Sequence, residues 1–340
     1  MDYLYFCKNF LLKKFLIIRF SSIGDIVLTT PVIRCVKQQV KDVELHYLTK
    51  ESHVPILQNN PYIDKIHTIK KSVLPQMQEL KDEHFDFIID LHNSIRSTST
   101  ILHLVRPFNA LKKLNIRKEL YVATKINLMP HHVHVVDRYF NVVESLGVMN
   151  DGKGLDYFLS KDEEVELTDF PETHRNGFIA FVIGGKHTTK RMPDNKVISL
   201  CTKIDRPIIL LGGPENRETG ELIKSVAGEK VYNACGIYSL NQSASIIKQA
   251  KQVISNDTGL MHIAAAFNKP LISVWGNTVP AFGMYPYYPK ESEHNSHIVE
   301  VKDLSCRPCS KLGFDKCPKE HFKCMNLLDE KEIVSAIHWD

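Results

Sequence analysis

Two runs of alternating apolar and amphipathic segments, parted by a stretch rich in glycine, acids and turn residues, limit what this chain can become. In the first run "FLIIRF" (15–20), "VELHYLT" (43–49), "IDKIHTI" (63–69) and "FDFIIDL" (85–91) have the length and apolar character of strands. Segments 25–40 and 72–82 between them have helical length and amphipathic spacing, and "HHVHVVDRYFNVVESLG" (131–147) reads as a helix ended by Gly147. After 148–176 the alternation restarts with "GFIAFVI" (177–183), "RPIILLG" (206–212), "EKVYNAC" (229–235), "KQVISND" (251–257) and "PLISVWG" (270–276). Helical stretches near 193–204, 215–227, 239–250 and 259–268 separate these, and "DEKEIVSAIHW" reads as a closing helix. Short strands alternating with helices make parallel sheets covered by helices.

The expected class is therefore α/β, with two doubly wound domains. One spans 1–160 and the other 171–340, with 148–176 as the connection. A chain of 340 residues is too long for one ordinary core. Such sheets bind ligands beyond the carboxyl ends of their strands, and tandem domains place a ligand in the cleft between them. Chemistry is expected in the loops that follow strands.

Composition narrows the classes. Apolar content of 43% and charged content of 24% are those of a soluble globular protein. The net charge of +4, from 43 Lys+Arg against 39 Asp+Glu, suits an anionic substrate or a membrane surface but lacks a nucleic-acid binder's excess. No apolar run reaches the roughly 18 to 20 residues of a membrane helix. Lys8, Lys13, Lys14 and Arg19 interrupt the apolar amino terminus, which has no small-residue cleavage site. Residues 1–14 read as a frayed extension, with a basic-aromatic membrane contact as the other reading. A cytoplasmic chain, peripheral at most on the inner membrane's cytoplasmic face, is expected. Cys7, Cys35, Cys201 and Cys235 are scattered and read as reduced thiols.

Five loops hold residues with chemistry. "SSIGD" (21–25) follows the first strand; Ser22 and Gly24 make a tight polar turn, and Asp25 is either a helix-terminal acid or a catalyst. Pro31 predicts a kink or early break in the helix that follows. "SNDTGLMHIAAA" (255–266) ends a strand in Asp257, Thr258 and Gly259 and opens a small-residue helix carrying His262, whose first N–H groups can hold a phosphate or diphosphate. "IGGKHTTKRMPDN" (183–195) offers Thr188, Thr189 and Lys190 to an anion. "LLGGPENRE" (210–218) offers Glu215 to ribose hydroxyls. These last three loops lie at one sheet edge and together read as a nucleotide-diphosphate holder. The fifth, Cys306-x2-Cys309-x7-Cys317-x6-Cys324, reads equally as a structural zinc site or as four reduced thiols.

"RFSSIGDIVLTTP" with "SNDTGLMHIAAA" resembles the ADP-heptose:lipopolysaccharide heptosyltransferases of glycosyltransferase family 9, and the "CxPC…CP…H…CM" segment resembles the heptosyltransferase II type. The resemblance runs from residue 15 to the end. It implies a GT-B fold, two Rossmann-like domains facing across a cleft. The first binds a lipid-linked anionic glycolipid acceptor; the second binds the nucleotide sugar, ADP-heptose. It implies Asp25 as general base, Lys190 on the donor phosphates, Glu215 on the ribose, and Asp257, Thr258, Gly259 and His262 as donor contacts. Such a base takes the acceptor hydroxyl's proton as it attacks the anomeric carbon, inverting it, while Lys190 and the helix terminus stabilise the departing diphosphate without a metal. Asn93, Arg96, His134 and Arg138, in the basic first half, are the acceptor-side candidates. Met192 departs from the aromatic residue common at its position. Other readings are a family 9 transferase with a different donor or acceptor, and a noncatalytic nucleotide-sugar binder. Asp25→Asn separates the catalytic reading from the last.

Overall fold

A computed structural model describes residues 12–130 and 133–339. The expectation for the amino-terminal extension falls mainly on residues 1–11, outside the described residues. The chain forms two compact units. The first comprises 12–113 and 135–152, the second 114–134 and 153–339.

The first unit holds β1 (Lys13–Ile18), β2 (Val43–Lys50), β3 (Lys65–Ile69), β4 (Phe87–Asp90) and β5 (Phe108–Ala110) in the order β3-β2-β1-β4-β5. The second holds β6 (Ile179–Val182), β7 (Ile208–Leu211), β8 (Val231–Asn233), β9 (Gln252–Asn256), β10 (Leu271–Trp275) and β11 (Ser296–Glu300) in the order β11-β10-β9-β6-β7-β8. Every paired neighbour runs parallel. Each sheet grows outward from its first strand, reverses, and grows the other way. Because parallel crossovers are right-handed, the reversal puts helices on both faces. Leu16, Ile17 and Ile18 of β1 are all fully buried, as are Val253 and Ile254 of β9, so central strands read as unbroken apolar runs.

The reversal sets where a site can form. It lies between β1 and β4 in the first unit and between β6 and β9 in the second. There the connections leave in opposite directions and open a crevice at the carboxyl edge.

The alternation foretold nine of the eleven strands. β5 and β11 were missed because both are edge strands of low apolar content, the first only three residues long. The helix Ile95–Leu104, capped by Ser94, was not foreseen either. Pro31 acts as expected: a short helix Ile23–Val27 ends and a second, Thr30–Gln39, starts with Pro31 in its first turn.

The segment 114–134, sequentially inside the expected 1–160 domain, belongs to the second unit. Tyr121 of the helix Asn115–Thr124 packs edge-on against Phe282, and Lys125 Nζ donates to the Pro308 carbonyl at 2.7 Å. The chain then returns. Arg34 grips Asp151 with two bonds of 2.8 Å and ties 135–152 back to the first unit.

Candidate functional site

In the first unit the turn after β1 is built around Arg19. Its Nε donates to the Ser21 carbonyl at 2.9 Å and its NH1 to the Leu91 carbonyl, beyond β4, at 2.6 Å. Its NH2 meets Asp25 Oδ1 at 2.5 Å. The guanidinium thus spans the switch point, and its fixed fork leaves it one orientation. Asp25 is the third residue of the helix Ile23–Val27; its Oδ2 accepts from Ser22 N at 3.0 Å and Ser22 Oγ at 2.6 Å, a capping box. It is therefore both a helix-terminal acid and an acid held at the ligand edge. Ser22 serves to orient it, and the Ser21–Ser22 peptide is cis.

Around this pair lie further polar and basic groups. Asp90 Oδ1 accepts from the backbone N–H groups of His92 and Asn93, both at 2.8 Å, and Asn93 Nδ2 donates to the Leu111 carbonyl at 2.6 Å. Burial, then the charges of Arg19 and Lys113, hold His92 down at about 4, so it is neutral near pH 7. Arg96 lies over the Phe20 ring. Burial also lowers Arg138, whose buried Nε has no hydrogen-bond partner among the described residues. An unpaired buried guanidinium nitrogen calls for an acceptor, and an anionic ligand supplies one. His134 is elsewhere: it precedes the helix Val135–Val143, belongs to the second unit, and its Nε2 bonds the Tyr285 carbonyl at 2.9 Å. It does not share a helix face with Arg138.

In the second unit four loops meet at the carboxyl edge. Lys190, after β6, reaches Asp257, after β9, at 2.5 Å, so this ion pair also crosses its switch point. Asp257 Oδ2 accepts from Thr278 Oγ1, after β10, at 2.9 Å. Thr258 is the N-cap of the helix Gly259–Ala266 in extended conformation and makes no side-chain bond to the helix N–H groups. Those donors, with the dipole behind them, stay available to an anion. His262 is buried one turn in. Any side chain at Gly276 would strike the Thr189 carbonyl, so the end of β10 can approach the donor-rich loop only as glycine.

Thr188 and Thr189 divide. Thr188 Oγ1 accepts from Arg191 at 2.9 Å and lines a cavity of about 340 Å³ with Met192, Glu215, Asn216, Thr219 and Phe322. That is the low end of small-molecule sites. Glu215 is exposed on the rim. Thr189 is buried; its hydroxyl accepts from Phe314 N at 2.8 Å and donates to Phe314 O at 3.0 Å. It anchors the loop on the cysteine segment and does not face a ligand. Cys306, Cys309, Cys317 and Cys324 form no disulfide. Burial and then Cys306 push the Cys309 thiol up to about 11; burial pushes Cys324 up to about 12, and the other three thiols add to it. These thiols lie within electrostatic reach of one another.

Sequence reasoning missed Arg19, His92, Thr278 and Asn277. The Asn277 amide is buried with neither its Nδ2 nor its Oδ1 paired among the described residues. Its signal was available, since "GNT" follows a strand at the same edge as the other loops.

Two Rossmann-like units, one with an acid locked at its switch point and the other with an ion pair and an uncapped helix start at its own, have the architecture of the GT-B fold. The chain belongs to glycosyltransferase family 9, the heptosyltransferases, whose profile matches residues 73–313. It is 25% identical over 350 residues to lipopolysaccharide heptosyltransferase 1 of Campylobacter coli, covering 95% of this chain and 98% of that one. Among solved structures, the family 9 glycosyltransferase of Veillonella parvula superposes with a TM-score of 0.71 at 21% identity, covering 86% of each chain. Escherichia coli WaaC with ADP-2-deoxy-2-fluoro heptose superposes at 0.63 and 21% identity, covering 88% of this chain and 96% of that one.

Proposed function

We propose that this enzyme transfers heptose from ADP-heptose to an anionic inner-core lipopolysaccharide acceptor, with inversion, and that Asp25 is the general base. The observation that carries the base assignment is the fixing of Asp25 by Arg19 and Ser22 at the switch point of the first unit. Arg19 leaves one carboxylate oxygen's geometry set and keeps the acid turned to the edge. As the acceptor hydroxyl attacks, Asp25 takes its proton. Negative charge grows on the departing ADP. Lys190, released from Asp257, and the first N–H groups of the helix Gly259–Ala266 are the groups suited to stabilise it. The cavity beside Glu215 and Met192 suits the adenosine. Arg138, Arg96 and Asn93 suit an acceptor bearing acidic groups.

No helix among the described residues is long and apolar enough to cross a membrane. A peripheral contact with the cytoplasmic face is supported by exposed Ile116, Leu120, Ile126 and Leu128 in a segment that also carries Arg117, Lys118 and Lys125. A structural zinc at Cys306, Cys309, Cys317 and Cys324 fits the donor set: burial and then neighbouring thiols raise Cys309 and Cys324, and a cation offsets both effects by favouring the thiolate. Its effect would be to fix Phe314, and through it Thr189, beneath Lys190.

The test is transfer from ADP-heptose to a panel of truncated lipopolysaccharides. The expected result is one acceptor truncation that supports turnover with an inverted product. Turnover with a different nucleotide sugar, and none with ADP-heptose, removes the assignment.

A further inference from the structure

Away from both ligand edges, two histidines face each other inside the first sheet. His46 on β2 and His67 on β3 are buried, with His46 Nδ1 3.0 Å from His67 Nε2. Their outer nitrogens are both taken by carboxylates. His46 Nε2 lies 2.8 Å from Glu44 and His67 Nδ1 lies 3.1 Å from Glu79. At neutral pH a carboxylate only accepts, so each outer nitrogen carries the N–H. A neutral imidazole has one N–H. The two inner nitrogens therefore both present lone pairs, 3.0 Å apart, in a buried site. That contact is repulsive unless a proton or a metal cation lies between them.

Glu83, from the end of the helix Met77–Asp82, completes the set. Its carboxylate oxygens lie 4.0 Å from His46 Nδ1 and 4.0 Å from His67 Nε2. Among the described residues, the ligand atoms of His46, His67 and Glu83 fall within 4.8 Å of one another. Burial works against its ionised form, but hydrogen bonds from Lys65 and Lys14 hold the Glu83 carboxyl down at about 2. Edge-on packing of Phe85 against both imidazoles fixes their planes.

We propose that His46, His67 and Glu83 form a binding site for one divalent transition-metal ion of the Zn²⁺ or Co²⁺ type. Two imidazoles and a carboxylate are a donor set of that class, and imidazoles whose outer N–H is held by a carboxylate are the usual form of metal-bound histidine. Tetrahedral bonding at about 2.0–2.1 Å needs the nitrogens a few tenths of an ångström further apart, within reach of small ring rotations. Three carboxylates (Glu44, Glu79, Glu83) against Lys14 and Lys65 leave the shell one net negative charge, which favours a cation of modest affinity over a tight one. The site joins β2, β3 and the helix Met77–Asp82, so its ion acts as a clamp, distinct from the thiol cluster in the other unit.

The experiment is titration of chelator-treated full-length protein with Co²⁺, read by its absorption spectrum and by the shift in melting temperature. One equivalent is expected to bind without a thiolate-to-metal charge-transfer band, which separates it from ion held by the cysteines. Glu79→Gln, at an exposed side chain, should weaken that binding about ten- to a hundredfold, and His67→Gln should abolish it. Unchanged affinity in Glu79→Gln overturns the proposal, whether or not His67→Gln folds. So does Co²⁺ binding that is wholly thiolate in character, with nitrogen-15 spectra showing a proton shared between His46 and His67.

Discussion

Both units place an aspartate at the switch point of a parallel sheet and pair it with a cation at 2.5 Å, yet the two pairs differ in kind. In the first unit Arg19 is a strand-end residue that also donates to the Ser21 and Leu91 carbonyls, while Ser22 holds Asp25 from the other side. The acid cannot turn. In the second, the cation is a lysine on a short loop, and its charge is a point on a flexible stem. Asp257 keeps Thr278 if the lysine leaves. One arrangement fixes a carboxylate; the other stores a cation that an anion can attract. The difference matches what a base and a leaving-group stabiliser each require.

Four experiments break or sharpen that contrast. Asp25→Asn should cut turnover by about 10²- to 10⁴-fold while calorimetry finds donor affinity unchanged. A matching loss of donor affinity would mean the first unit's acid is part of the donor site. Lys190→Ala should cost about 10²- to 10³-fold in turnover and, unlike Asp25→Asn, should weaken donor binding as well.

The third experiment is pH. His92 titrates at about 4 in the folded chain, below its ordinary value near 6.5, because burial and Arg19 disfavour its charged form. The unfolded chain binds more protons in that window. Stability from this group is therefore complete above about pH 6.5 and is lost as pH falls toward 4, by on the order of 1–2 kcal/mol once solvent screening of its partly exposed ring is allowed for. Denaturant melts of wild type and His92→Gln between pH 4 and 7 should diverge by that much; parallel curves would show His92 is not desolvated in the Asp25 cluster. The smallest effect is expected from Arg19→Lys, about tenfold in kcat with little change in donor KM, because a lysine cannot hold three acceptors in one plane.

Much of this was legible in the sequence. The strands β1, β2, β4, β6, β7, β9 and β10 announce themselves because central parallel strands are apolar on both faces, and Asp25, Lys190, Glu215 and Asp257 stand out as candidates because they follow such strands and fall in motifs that resemble the family's. What stayed hidden was pairing. Nothing in "RFSSIGD" tells that Arg19 reaches a carbonyl beyond β4, and nothing in "KHTTK" tells that Thr188 lines a cavity while Thr189 holds a loop 125 residues away. His134 and Arg138 share a helical spacing on paper, but the chain crosses from one unit to the other between them.

The sequence by itself determined the two doubly wound sheets, the edges where ligands bind and the residue types offered there, because local periodicity and strand-end position are properties of the chain. The tertiary structure decided which acid is locked and which is exchangeable, that 114–134 packs with the second unit, and that His46 meets His67. Each depends on which distant backbone atoms and side chains come within about 3 Å, a distance at which hydrogen bonds and ion pairs act and about which linear spacing carries no information.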